Sequence, residues 1–121
     1  GDNFRAVLAA ASAKELRRFI DESYPFERDT MDAAYLGDLL VTSYSSFSRN
    51  RRLGKLIGHG CTVKSALNEM TMIAEGYFAA NCIKHINEKH NIYMPIADMV
   101  YDVLYRRMSP RKRMKELTAL L

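Results

Sequence analysis

Apolar positions in this chain recur at three- and four-residue intervals from end to end, the spacing of one helix face after another. Leu8, Ala9, Ala13, Leu16, Phe19 and Ile20 share one side of a helical wheel, with Lys14, Arg17, Arg18, Asp21 and Glu22 on the other. Tyr24-Pro25 ends that helix, because a residue before proline is pushed out of the helical region. Asp29 with Asp32 three positions later resembles a capping box that opens the next. Ser48 has the chemistry of an N-cap for a helix presenting Leu53, Leu56 and Ile57, and Gly58-His59-Gly60 reads as a stop and loop. Thr62 is placed to cap Val63 to Met70, and Glu75 to about Lys89 forms a long helix. Pro95 suits the first turn of a helix presenting Ile96, Met99, Val100, Val103 and Leu104. Ser109-Pro110 opens the last, with Met114, Leu117 and Leu121 inward. Alternating strand patterns and internal repeats are missing. The reading is all-α, six or seven helices in a single compact domain.

Length agrees with one domain. A chain of 121 residues buries roughly two-thirds of its unfolded surface, and 48% hydrophobic content supplies the core. No apolar run approaches the roughly 20 residues of a membrane span, Gly1-Asp2-Asn3 does not read as a signal peptide, and cytoplasmic residence is the default expectation. Cys61 and Cys82 have neither metal spacing nor the density of a disulfide framework. The net charge of +4 suits anionic ligands, small or polymeric.

Candidate chemistry concentrates between Gly37 and Arg52. Asp38 sits in an apolar stretch, where a carboxylate has to be paired or hydrogen-bonded, and Thr42 one turn on shares its face. Ser48-Arg49-Asn50-Arg51-Arg52 follows. Three arginines in a helix's first turn oppose the macrodipole, so either local stability is set aside or an anion is expected there. Guanidinium suits phosphate oxygens in pairs. A carboxylate for hydroxyls beside a helix start for an anion is what a small hydroxylated phosphate ester requires. A solvated basic helix start that binds nothing is the plainer alternative.

Gly1-Asp2-Asn3, Leu36-Gly37-Asp38-Leu39-Leu40-Val41-Thr42, Phe47-Ser48-Arg49-Asn50-Arg51, Ala74-Glu75-Gly76-Tyr77, Met94-Pro95-Ile96 and Val100-Tyr101-Asp102-Val103-Leu104-Tyr105 occur in that order. Together they resemble the C-terminal substrate domain of NAD(P)-dependent glycerol-3-phosphate dehydrogenase, over essentially the whole chain. The resemblance implies a helical domain like that of 6-phosphogluconate dehydrogenase-type enzymes. It also implies hydride transfer between NAD or NADP and the sn-glycerol 3-phosphate/dihydroxyacetone phosphate pair, a step of glycerophospholipid metabolism. Asp38 and Thr42 match substrate-contacting positions, and Ser48, Arg49 and Asn50 match the phosphate-gripping segment. Arg49, Ile73 and Glu75 match positions beside the cofactor. The family's acid/base lysine falls upstream of Gly1, so no catalytic residue is expected in this chain, and neither Lys14 nor another lysine inherits the role. The partners implied are the substrate pair and an N-terminal dinucleotide-binding domain, with room for a homodimer.

No Gly-x-Gly-x-x-Gly fingerprint occurs, and Gly54, Gly58 and Gly60 are spaced otherwise. Residues 1–121 therefore read as a substrate domain whose dinucleotide-binding partner is not in this chain. Remaining candidates are weaker. His85 and His90 are five apart, about 140° around a helix, so no metal site is expected. Tyr77-Phe78 and Tyr101/Tyr105 at helical spacing read as core, and the seven methionines as gap-fillers. The basic cluster Arg106, Arg107, Arg111, Lys112, Arg113 and Lys115 lacks interleaved aromatics and reads as a solvated face. The alternative function, a freestanding basic helical module for nucleic acid or an acidic protein, would have to draw on it. The dehydrogenase reading needs Asp38 and Arg49 to converge on one pocket. The module needs a basic face built from 106–115.

Overall fold

A computed structural model describes residues 1–23 and 47–121. It places six helices there: α1 Asp2–Ser23, α2 Phe47–Gly58, α3 Val63–Glu69, α4 Glu75–His90, α5 Pro95–Leu104 and α6 Pro110–Thr118. No strand occurs among the described residues, so the domain is all-α. The helix expected to open at Asp29 lies outside them.

The start signals act through their expected atoms at two helices. Thr62 Oγ1 accepts from the Ser65 amide at 3.1 Å to open α3, and Ser109 Oγ accepts from the Lys112 amide at 3.3 Å to open α6, with Pro110 in its first turn. Helix α4 ends on Asn91 in the left-handed region (φ 53°). The following turn is clamped by Asn87, whose Oδ1 accepts from the Ile92 amide while its Nδ2 donates to the Ile92 carbonyl, both at 2.8 Å.

Helix α5 runs through the middle, against α4 on one side and α6 on the other. Its Met99, Val103 and Leu104 join Leu53 and Ile57 of α2, Val63 and Ala66 of α3, Ala74 and Ala80 around α4, and Leu117 of α6 in one buried cluster. A second, smaller cluster of Phe19, Ile92 and Met94 fastens α1 to the α4–α5 connection.

Three expectations are corrected. On α1 the inward stripe is Leu8, Ser12, Glu15 and Phe19, while Ala9, Ala13 and Leu16 face out. The wheel merged two adjacent stripes, and the one chosen carries a buried carboxylate. Glu15 Oε1 and Oε2 accept from the Ile96 and Ala97 amides, both at 2.8 Å. First-turn amides of α5 have no carbonyl of their own to bond, and Glu15 satisfies two of them. Leu121, expected inward, is exposed because α6 ends at Thr118. Arg113, expected on a solvated face, is largely covered. Its Nη2 lies 3.1 Å from Asp102 Oδ2 and its Nη1 2.7 Å from Glu116. Arg106 adds a weaker ion pair to Asp102 at 3.5 Å. One buried acid thus ties α6 to α5.

Tyr77, Tyr101 and Tyr105 are packing residues, as expected, whereas Phe78, expected in the core with Tyr77, is about half exposed. Tyr77 stacks on Tyr105 (4.6 Å between ring centroids) and Tyr105 on Tyr101 (5.2 Å). The Tyr105 hydroxyl donates to the Tyr77 carbonyl. Burial, followed by the adjacent Tyr77, pushes the Tyr105 phenol up to about 12.

Candidate functional site

Leu53 and Ile57 turn one face of α2 into the core. Arg49 and Asn50 lie four and three residues before Leu53, so they occupy the same side one turn earlier, at the edge where the core meets solvent. Both are half-buried, and both reach the segment that opens α4. Arg49 Nε donates to the Ile73 carbonyl at 3.0 Å, and Asn50 Oδ1 accepts from the Gly76 amide at 2.8 Å. Helix α4 has Ala74 at its N-cap, which offers no side-chain oxygen. Asn50 supplies the missing cap from another helix.

These contacts leave a donor-rich face. Neither terminal nitrogen of Arg49 nor the Asn50 Nδ2 has a protein partner among the described residues. Both groups can only donate. No carboxylate pairs with Arg49 in the described part of the chain; Glu75 is exposed in the held segment but makes no ion pair with it. Ser48 is exposed on the same turn. Because α2 already includes Phe47, Ser48 lies within the helix rather than at its N-cap, a further correction. Arg51 and Arg52 point outward. Among the described residues no acid lies in the first turn of α2 to offset the positive charge gathered there.

Beside this face the chain Met70–Ala74 borders an open apolar hollow of about 210 Å³, lined also by Leu67, Tyr77 and Phe78. Met72, Ile73 and Phe78 are each about half or more exposed around it. Exposed apolar side chains next to unpaired donors can hold a flat, partly apolar ligand that carries phosphate.

Of the residues singled out in the sequence, Arg49, Asn50, Ile73 and Glu75 are brought together, with Ser48 on the adjoining turn. Asp38 and Thr42 lie outside the described residues. No group of His, Cys, Asp or Glu that could hold a metal occurs among the described residues. His85 Nδ1 instead lies 2.8 Å from the Asn81 carbonyl on its own helix. The sequence reading missed Gly76 and Glu15 as working residues. Ala74 at a helix start was the available signal for the first, since a cap residue without an oxygen leaves an amide for some other group.

A helical domain whose donor-rich face lies where α2 meets the start of α4, with no strand among its described residues, has the form of an all-α domain with a candidate anion-binding face. Comparison with known proteins makes the class particular. Residues 1–115 match the family model described as the NAD-dependent glycerol-3-phosphate dehydrogenase C-terminus, and the chain belongs to that family. Among curated relatives, a glycerol-3-phosphate dehydrogenase [NAD(P)+] of Francisella tularensis subsp. novicida (strain U112) is 35% identical over 117 residues. One of Staphylococcus carnosus (strain TM300) is 37% identical over the same length. Each match covers 97% of this chain and 35% of the relative, so the chain spans about a third of the length of these proteins. No solved structure matches it. The alternative of a nucleic-acid-binding module finds no support, and within its proposed basic face Arg113 and Arg106 are already paired with Asp102.

Proposed function

We propose that residues 1–121 form the substrate-binding domain of an NAD(P)-dependent glycerol-3-phosphate dehydrogenase, working against a dinucleotide-binding domain supplied elsewhere in the full-length protein. The substrates are sn-glycerol 3-phosphate and dihydroxyacetone phosphate. The observation that carries the reading is the pair of side chains Arg49 and Asn50. Each spends one atom on the α4 start, and its remaining donors have no partner among the described residues.

In this reading Arg49, Asn50 and Ser48 grip the phosphate, while Asp38 and Thr42 take the hydroxyls and so discriminate a glycerol ester from a plain anion. Arg49, with Ile73 and Glu75, faces the nicotinamide nucleotide. The exposed Ile73 side chain beside a guanidinium with free nitrogens suits a cofactor that is part flat ring and part phosphate. The cofactor, when bound, supplies the hydride. This chain's residues hold the phosphate end still, so that the reacting carbon presents itself in one orientation. The proton is handled by a lysine upstream of Gly1. The protein acts in the cytoplasm, in glycerophospholipid metabolism, and is compatible with a homodimer; no described helix is long and apolar enough to cross a membrane.

The test is Arg49→Ala in the full-length protein. It should lower kcat/KM for dihydroxyacetone phosphate by the equivalent of about 2–4 kcal/mol, the scale of one partly buried charge-assisted contact. An unchanged kcat/KM would remove Arg49 from the site.

A further inference from the structure

Gly76 is the second residue of α4, and its backbone does not need a glycine, since it is not among the positive-φ positions. Alanine is the better helix former at an ordinary position. The reason for glycine lies in the space in front of it. A Cβ built on Gly76 would stand 2.9 Å from Asn50 Oδ1, 3.0 Å from Cγ and 3.3 Å from Nδ2, all atoms of one side chain. The Asn50 amide rests flat against the bare Cα, with its oxygen on the Gly76 N–H at 2.8 Å.

That contact settles the direction of the amide. A backbone N–H can only donate, so the atom facing it must be Oδ1, and the NH2 group must face the other way. From this geometry we infer that Gly76 is a positioning residue for substrate phosphate. By admitting Asn50 and holding its oxygen, it leaves Nδ2 to donate elsewhere, on the helix turn that also carries Arg49, whose terminal nitrogens have no partner among the described residues. Without this hold an asparagine amide turns either end outward, and an outward oxygen repels phosphate. The inference deepens the proposed function and rests on its assignment of Asn50 to the phosphate.

The atoms that a new Cβ would meet belong to the end of a rotatable side chain, so Gly76→Ala displaces the Asn50 amide while the helices stay in place. That makes the effect specific. In the full-length protein Gly76→Ala should raise KM for dihydroxyacetone phosphate about tenfold, roughly the weight of one charge-assisted hydrogen bond. The KM for the nicotinamide cofactor should change little, and the unfolding midpoint should fall by no more than the loss of the Asn50 cap, partly offset by the better helix propensity of alanine.

The decisive experiment is a double-mutant cycle of Gly76→Ala with Asn50→Ala, read as KM for dihydroxyacetone phosphate beside kcat, with Arg49→Ala measured in parallel. If Gly76 acts through Asn50, Gly76→Ala raises KM in the parent protein and has no further effect once Asn50 is alanine. An equal rise in both backgrounds, or no rise in either, overturns the inference. Should Asn50→Ala and Arg49→Ala both leave KM unchanged, the phosphate assignment itself fails and the positioning role falls with it. A rise with those two but an additive Gly76→Ala overturns the positioning role alone.

Discussion

Glu15, in the second half of α1, and Ile96, at the start of α5, stand 81 positions apart in sequence and are joined by a 2.8 Å hydrogen bond from the Ile96 amide to the Glu15 carboxylate. The other carboxylate oxygen takes the Ala97 amide at the same distance. The side chain is buried, and α5 has no side-chain cap of its own at Met94. Glu15 therefore does for α5 what Asn50 does for α4. In both cases the cap comes from a distant helix, and it docks that helix as it completes the other.

Glu15→Ala should cost about 3 kcal/mol of unfolding free energy, because it removes a charged acceptor and strands two covered amides. Glu15→Gln keeps one acceptor oxygen and should cost less. Denaturant midpoints order the variants, and amide hydrogen exchange at Ile96 and Ala97 should accelerate first. Equal midpoints for parent and Glu15→Ala would show that the bond does not hold α1 to α5.

Arg113→Ala should destabilise the domain by about 2–4 kcal/mol while leaving substrate KM alone. It deprives the buried Asp102 of Arg113, 3.1 Å away, and among the described residues leaves it Arg106 at 3.5 Å. Removing Asp102 as well should recover part of the loss, since the stranded charge goes with it. A midpoint unmoved by Arg113→Ala would return this residue to the solvated face that the charge pattern suggested. Arg49→Ala has the opposite profile, a change in KM with little change in midpoint, and the contrast separates the two arginines.

The Tyr105 phenol, raised to about 12 from an ordinary value near 10, makes a pH prediction. The folded state holds this proton more tightly than the unfolded chain does. The associated stability is therefore fully present below pH 10 and is lost as pH rises from about 10 through about 12. Spectrophotometric titration should show one tyrosine ionising last. Tyr105→Phe should remove that step, flatten the alkaline stability profile in the same window, and cost about 1 kcal/mol at neutral pH for the lost bond to the Tyr77 carbonyl.

The purified 121-residue domain should turn over no dihydroxyacetone phosphate with NADH or NADPH. Proximity and proton transfer each contribute several kcal/mol to such a reaction, and in the proposed enzyme the cofactor fold and the acid/base lysine lie outside this chain. Measurable oxidation of NADH by the domain alone would contradict that division of labour.

Most boundaries of the described helices were readable without coordinates, because they depend on local chemistry. Thr62 and Ser109 cap their own helices through side chains three residues from the amides they bond, and the apolar spacing of α5 leaves one face to bury. Part of the candidate site leaves a signal in the letters for a related reason. Arginines in a helix's first turn without an acid conflict with the dipole, and such a conflict shows in the letters alone. What only the tertiary structure decided are the pairings between distant segments. A wheel drawn on α1 favours leucine and alanine over glutamate, yet Glu15 is inward because the open amides of α5 lie opposite it. Charge counting left Arg113 in solvent, yet Asp102 sits across the α5–α6 turn and draws it in. No local rule explains glycine at position 76, where the backbone is ordinary; the reason is the Asn50 amide, brought 26 positions through the fold. Periodicity and caps act within a turn or two of the chain, whereas orphan amides and buried charges are satisfied by whatever the packing places beside them.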